Sequence, residues 1–409
     1  MKRVRICAAA LAAVAVWLGF AASAPVPATA SASHPAGLLA HNRFPGTRGS
    51  AGAPSRRAAP VSPQDVGGTN MASPGIVVNY PATGAIPLPQ VPASAYVIAD
   101  ANTGQVLAAD DPHGLFQPAS TLKVLTAITL IPRLKPNATV VASQLAATTP
   151  EYDVGLVAGD SYKVSDLFNA LLLISANDAA VALTQATGSL AKGMALINAE
   201  AHHLQAYDVV AVQPNGLPAA GQQTSAYDQA LIARQALSIP AFMKYDSTVS
   251  AQFPVKPGTM VPLVNQNTLL TQYPGGIGGK IGWTVAAEAT YIGMARRGGV
   301  TLIVTVLHCT SLQEITSGEQ LLNWGFAMDG KVRPVGTLVP PLPSTAVHPG
   351  KHAGVRSAGQ RPVAETGAST VPVISAAAAG GLAVAGLIGV SWLGWRRRRL
   401  ARTRRQTPG

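Results

Sequence analysis

Strand-like sequence stands at both ends of one stretch of this chain, and helical sequence fills the middle. Residues 95–101 and 105–109 read as strands, and Asn102-Thr103-Gly104 between them predicts a hairpin. Three further strand-like runs follow much later, near 277–284, 289–296 and 300–308, with Arg297-Gly298-Gly299 turning between the last two. Between these sets, a helix is expected over 120–131, stopped by Pro132, and a mostly helical region over about 165–240. Ser165-Asp166 is expected to cap one of those helices, with Leu167, Leu171 and Ile174 on its apolar face. A last helix is expected near 313–327. This order predicts one sheet assembled from both ends of the stretch, with the helical middle as a second lobe.

The flanks differ in kind. Residues 1–30 read as a secretory signal peptide: Lys2, Arg3 and Arg5 precede an apolar run, and Ala28-Thr29-Ala30 suits cleavage. Residues 31–92 form a Pro/Ala-rich spacer and 331–372 a second, Pro-rich one, leaving 93–330 as a single domain. Residues 373–395 carry no charge and are long enough to cross a bilayer as a transmembrane helix. Trp392 and Trp395 stand at the end of that segment, and seven arginines follow within 396–409, so this basic tail is expected on the cytoplasmic side.

That arrangement decides how the net charge of +12 is read. Residues 81–332 hold 12 basic and 16 acidic residues, a net of −4. A nucleic-acid-binding protein would carry its positive excess on the folded domain, so that class is excluded. Of the two cysteines, Cys7 lies in the signal, and Cys309 sits in an apolar run as a packed strand residue. His113, His202, His203 and His308 lack metal-ligand spacing and read as structural, as Asn215-Gly216 reads as a turn.

The candidate chemistry begins at Ser120-Thr121-Leu122-Lys123. Three residues apart on a helix, the hydroxyl and the amine share a face. A serine needs a neighbour to take its proton, and a partly desolvated lysine can do so. A second Ser-x-x-Lys occurs at Ser189-Leu190-Ala191-Lys192, but order separates the two. Only Ser120 is followed by a Ser-x-Asn, at Ser175-Ala176-Asn177, and then by Lys280-Ile281-Gly282 in a glycine-rich strand. Lys256-Pro257-Gly258 also fits Lys-x-Gly, but its proline suits a central strand poorly.

Ser-x-x-Lys, Ser-x-Asn and Lys-Thr-Gly in this order mark the penicillin-binding proteins and serine β-lactamases. The sequences around Asp111-Pro112-His113-Gly114, Pro118-Ala119-Ser120, Ser175-Ala176-Asn177-Asp178 and Tyr273-Pro274-Gly275 resemble exported D-alanyl-D-alanine carboxypeptidases of the actinobacterial type. The resemblance implies an α/β mixed fold, DD-peptidase/β-lactamase-like, with an antiparallel sheet flanked by helices and an all-helical lobe. It implies Ser120 as the acylated nucleophile, Lys123 as its base and Ser175 as the proton relay to the leaving group. Asn177 would hold the substrate amide and Lys280 would supply positive charge. Ile281, Gly282, Trp283 and Thr284 would line the substrate, with the N–H groups of Ser120 and Trp283 forming the oxyanion hole. No metal or cofactor is implied. The partners implied are peptidoglycan stem peptides, β-lactams as inhibitors, and the membrane through the C-terminal anchor.

The chain departs from the family pattern at Ile281, where a threonine or serine hydroxyl would help bind a carboxylate. Losing a hydrogen bond to a charged group costs about 1.5–3 kcal/mol. This motivates a second reading, a peptidoglycan- or β-lactam-binding pseudoenzyme with weakened catalysis. A β-lactamase is a third reading. It is weakened by Ser-Ala-Asn at 175–177 and by Glu151, the nearest glutamate, which lies before Ser175 rather than after it.

Overall fold

A computed structural model describes residues 66–256 and 258–343. The signal peptide, most of both spacers, the transmembrane segment and the basic tail lie outside the described residues. The described chain divides into two units, one of residues 66–121, 223–230 and 267–338, the other of residues 122–222, 231–266 and 339–343.

The chain enters the first unit through β1 (Val77–Val78), β2 (Ala93–Asp100), β3 (Gln105–Asp110) and a 3-10 turn, Ala119–Thr121. It passes into the second through α1 (Leu122–Leu130), β4 (Thr139–Val141), α2 (Gln144–Ala147), β5 (Ser161–Lys163), α3 (Val164–Leu173), α4 (Asn177–Gln185) and α5 (Leu190–His203). Helix α6 (Ala226–Leu237) begins in the first unit and ends in the second, which continues through α7 (Pro240–Asp246), β6 (Ser250–Lys256) and β7 (Thr259–Val264). The first unit then closes with α8 (Leu269–Gln272), β8 (Gly276–Thr284), β9 (Glu288–Arg297), β10 (Val300–Cys309), α9 (Glu314–Met328) and β11 (Gly336–Thr337).

In the first unit, the strands form a seven-stranded sheet in the order β1-β3-β2-β10-β9-β8, with β11 beside β3. Every pairing in it is antiparallel. The two expected strand sets meet where β2 pairs with β10, Val97 opposite Thr305. Both tight turns follow their sequence signals. Asp100 accepts from Asn102 N at 2.8 Å and from Thr103 Oγ1 at 2.7 Å, and Gly298 and Gly299 take φ of 55° and 88° between β9 and β10. One face of the sheet buries Tyr96, Ile98, Tyr291, Leu302, Val304 and Val306 against Leu321, Leu322 and Met328 of α9.

This compact unit starts before residue 93. Met71 is fully buried, β1 pairs with β3, and Trp324 Nε1 donates to Ile86 O at 2.8 Å. Past residue 331, Val335 and Leu338 are buried and β11 pairs with β3 on the same edge as β1. These segments carry no periodicity, because they cover an edge and a face of the sheet with mostly irregular backbone. Composition alone therefore assigned them to the spacers at 31–92 and 331–372.

In the second unit, all nine residues of α1 are buried, including Lys123, Thr126 and Thr129. A helix apolar on all sides is a core helix, and the polar exceptions are hydrogen-bonded. Thr126 Oγ1 donates to Pro214 O, and Thr129 Oγ1 donates to Leu125 O. The lobe expected to be all-helical also carries two antiparallel ribbons, β4 with β5 and β6 with β7. The first has three residues per strand, too few for alternation to show. The second contains Pro254 and Pro262, which a two-stranded ribbon tolerates where a central strand does not. Helix α3 starts at Val164, so Ser165 does not cap it, and Asp166 instead sits in its first turn, where the helix dipole favours an acid.

Candidate active site

In the first unit, the candidate nucleophile lies on a constrained turn. Ala119, directly before Ser120, takes φ of 46°, the left-handed region that a side chain with Cβ avoids. The turn is held at the Pro118 carbonyl, which accepts from Thr121 Oγ1 at 2.6 Å and from Thr290 Oγ1 of β9 at 2.9 Å. It rests on the edge strand β8 at Gly282. A Cβ there would lie 2.6 Å from Ser120 N and 2.5 Å from Thr290 Oγ1, so only glycine fits.

Strand parity divides the Lys280–Thr284 segment. Lys280, Gly282 and Thr284 are buried, with Gly282 opposite Thr290 and therefore on the face of the Ser120 turn. Lys280 Nζ donates to Ile281 O at 2.8 Å, and Thr284 Oγ1 accepts from Ala287 N at 3.0 Å. Ile281 lies opposite Tyr291 and packs against the core under α9, on the other face. Trp283 is 45% exposed.

In the second unit, Lys123 is fully buried, and its Nζ donates to Asn177 Oδ1 and to Asn215 O, both at 2.7 Å. Asn177 in turn donates through Nδ2 to Pro150 O and Glu151 O, at 3.1 and 2.8 Å. Its amide is thus engaged within the protein. It therefore holds Lys123 and the 150–151 backbone. Asp178, one residue on, accepts from the backbone N–H groups of Val154, Gly155, Leu156 and Ala179 at 2.8–3.1 Å, so it anchors a loop. Ser175 takes φ of 64°, and its Oγ is buried without a hydrogen-bond partner. A strained residue with an unsatisfied buried hydroxyl calls for a functional explanation.

The structure also accounts for the discarded candidates. Ser189 caps α5, its Oγ accepting from Lys192 N at 3.1 Å, so the second Ser-x-x-Lys is a helix cap. Burial pushes the Cys309 thiol up, against a smaller lowering by its hydrogen bond to Ser317, which suits a packed residue and not a nucleophile. Glu151 contributes its backbone oxygen to Asn177 while its side chain is exposed. The Asn215 carbonyl was missed in the sequence because a backbone atom leaves no residue-type signature. The available sign was the Asn215-Gly216 turn, where Gly216 takes φ of 83°.

This sequence and fold are similar to those of known proteins. The profile of the D-alanyl-D-alanine carboxypeptidase family, Peptidase_S11, matches residues 82–311. The D-alanyl-D-alanine carboxypeptidase DacB2 of Mycobacterium tuberculosis is 39% identical over 262 residues, 62% of this chain and 89% of that protein. DacF of Bacillus subtilis is 27% identical over 242 residues, 58% of this chain and 62% of that protein. A crystal structure of a D-alanyl-D-alanine carboxypeptidase from Mycobacterium tuberculosis superposes with a TM-score of 0.60 at 37% identity, over 63% of this chain and 99% of that one. A Streptomyces DD-transpeptidase superposes with a TM-score of 0.57 at 25% identity, over 59% of this chain and 100% of that one. With the antiparallel sheet, the helical unit and the three motifs in order, the chain belongs to the D-alanyl-D-alanine carboxypeptidase family.

Proposed function

We propose that this chain is a serine-type D-Ala-D-Ala carboxypeptidase that removes the terminal D-alanine of peptidoglycan stem peptides and is acylated by β-lactams. The observation that carries the reading is the setting of Lys123. It is fully buried, fixed by two oxygen acceptors, and placed three residues after a serine on a strained turn. In the proposed reaction, Lys123 accepts the proton of Ser120 Oγ as that oxygen attacks the penultimate carbonyl. Backbone N–H groups of Ser120 and Trp283 stabilise the oxyanion. The C–N bond breaks, Ser175 passes a proton to the leaving amine, and D-alanine departs. Water then hydrolyses the acyl-enzyme. Lys280 supplies positive charge for the substrate carboxylate, with Gly282, Thr284 and the backbone of Trp283 beside the peptide. Exposure of the Glu151 side chain argues against a β-lactamase-like deacylating role, so a β-lactam adduct should persist.

The pseudoenzyme reading rested on Ile281. Its side chain packs under α9 and not on the face of the Ser120 turn, which removes the motive for that reading. We further propose export and single-pass anchoring of the enzyme in the cell membrane, with the catalytic part outside and the C-terminus cytoplasmic. The uncharged segment 373–395 and the following arginines support this. Among the described residues, no helix is long and apolar enough to cross a membrane.

Intact-mass measurement after incubation with penicillin tests the reading. A stable adduct is expected in the wild type and none in Ser120→Ala, alongside D-alanine release from a pentapeptide by the wild type only. A folded wild type that gives neither adduct nor D-alanine would sink the proposal.

A further inference from the structure

We infer that Gln222 is a positioning residue for Lys123, acting through the loop 212–217; this rests on the catalytic reading above. Gln222 is 3% exposed. Its side-chain oxygen accepts from Val212 N at 3.2 Å and Gln213 N at 2.9 Å, and its nitrogen donates to Leu217 O at 2.7 Å. One amide therefore ties the two arms of the loop together. At the apex, Pro214 O accepts from Thr126 Oγ1 at 2.8 Å and Asn215 O accepts from Lys123 Nζ at 2.7 Å. Asn215 Oδ1 accepts from Leu217 N at 3.1 Å and closes the turn from inside. Thr126 and Lys123 are three residues apart on α1, so the apex runs along one face of that helix.

The loop has no ladder or helix of its own, so these side-chain bonds decide where its carbonyls point. The direction of one carbonyl matters because a lysine amine rides on a flexible four-carbon stem. Of the two acceptors named for Nζ, Asn177 belongs to a helix, whereas the Asn215 carbonyl is only as fixed as its loop. Both polar ends of Gln222 are used. A residue of the same size with only one kind of hydrogen-bonding group would hold one arm and release the other.

Time-resolved acylation by a β-lactam, followed by intact mass, tests the inference by separating the dissociation constant of the first complex from the acylation rate constant. In Gln222→Ala the rate constant is expected to fall about tenfold while the dissociation constant stays within about twofold, because the residue touches no substrate. Gln222→Glu keeps the oxygen acceptors and loses the donor to Leu217, and an intermediate rate is expected. Thr126→Val removes the other tether of the same apex, so its effect on the rate is expected to be less than additive with Gln222→Ala. If Gln222→Ala does not fold, Gln222→Glu and Thr126→Val carry the same comparison. An unchanged acylation rate overturns the inference, as does a loss in which both constants change in step with the melting temperature. Failure of the wild type to acylate at Ser120 overturns the catalytic reading as well, so the two failures are distinguishable.

Discussion

Ile281 shares β8 with Lys280 and Gly282, yet its side chain meets Tyr291 and the core under α9. Restoring the family's threonine there would place a hydroxyl against apolar neighbours. Ile281→Thr is expected to lower stability by about 1–2 kcal/mol in urea unfolding, and to leave kcat/KM for D-alanine release within about threefold of wild type. A tenfold rise in kcat/KM would show that the hydroxyl reaches the substrate and that the parity argument fails. At this scale the sequence offered candidate residues for the chemistry but not which way they face. The register of β8 shifts between Gly276 and Gly278, and a one-residue shift reverses every side chain beyond it. Asn177 shows the same limit. Its position in Ser-x-Asn was plain, but its engagement by Lys123, Pro150 and Glu151 depends on backbone far along the chain.

The contact of the 3-10 turn Ala119–Thr121 with β8 is a relation between elements, and Gly282 makes it possible. The Gly282→Ala variant puts a methyl group against Ser120 N and Thr290 Oγ1. It is expected to cost about 1–3 kcal/mol from overpacking and to slow acylation about a hundredfold through displacement of Ser120, measurable as adduct formation against time. A variant that acylates at the wild-type rate would show that the turn can move without cost. Elements with strong local signals were legible. The hairpin at Asn102–Gly104, the strands β8, β9 and β10 and the helix α9 lie within a few residues of where the sequence put them. Elements with weak signals were not: β4 and β5 are three residues long, and β6 and β7 each carry a proline.

For the molecule as a whole, the first unit depends on chain that composition marked as spacer. Met71 is fully buried beside β11, and Thr337 N donates to Gly67 O at 2.9 Å. A chain starting at Ala93 loses this side chain, the pairing of β1 and the Trp324 hydrogen bond to Ile86. Burying one such side chain contributes about 1.5–3 kcal/mol. The shortened chain is therefore expected to melt at least about 5 °C below one starting at residue 66. Equal melting temperatures would show that residues 66–92 contribute nothing to the fold.

By itself, the sequence determined the order of strands and helices, the three motifs and their residues, and the charge and hydropathy of the flanks. These are local quantities, set by side-chain period, turn chemistry and spacing along the chain. Only the tertiary structure decided the edge position of β8, the face that Ile281 takes, the engagement of Asn177 and the part played by the Asn215 carbonyl and Gln222. Each depends on hydrogen bonds or packing between residues distant in sequence. Backbone carbonyls in particular are chemically alike at every position until the fold aims one of them.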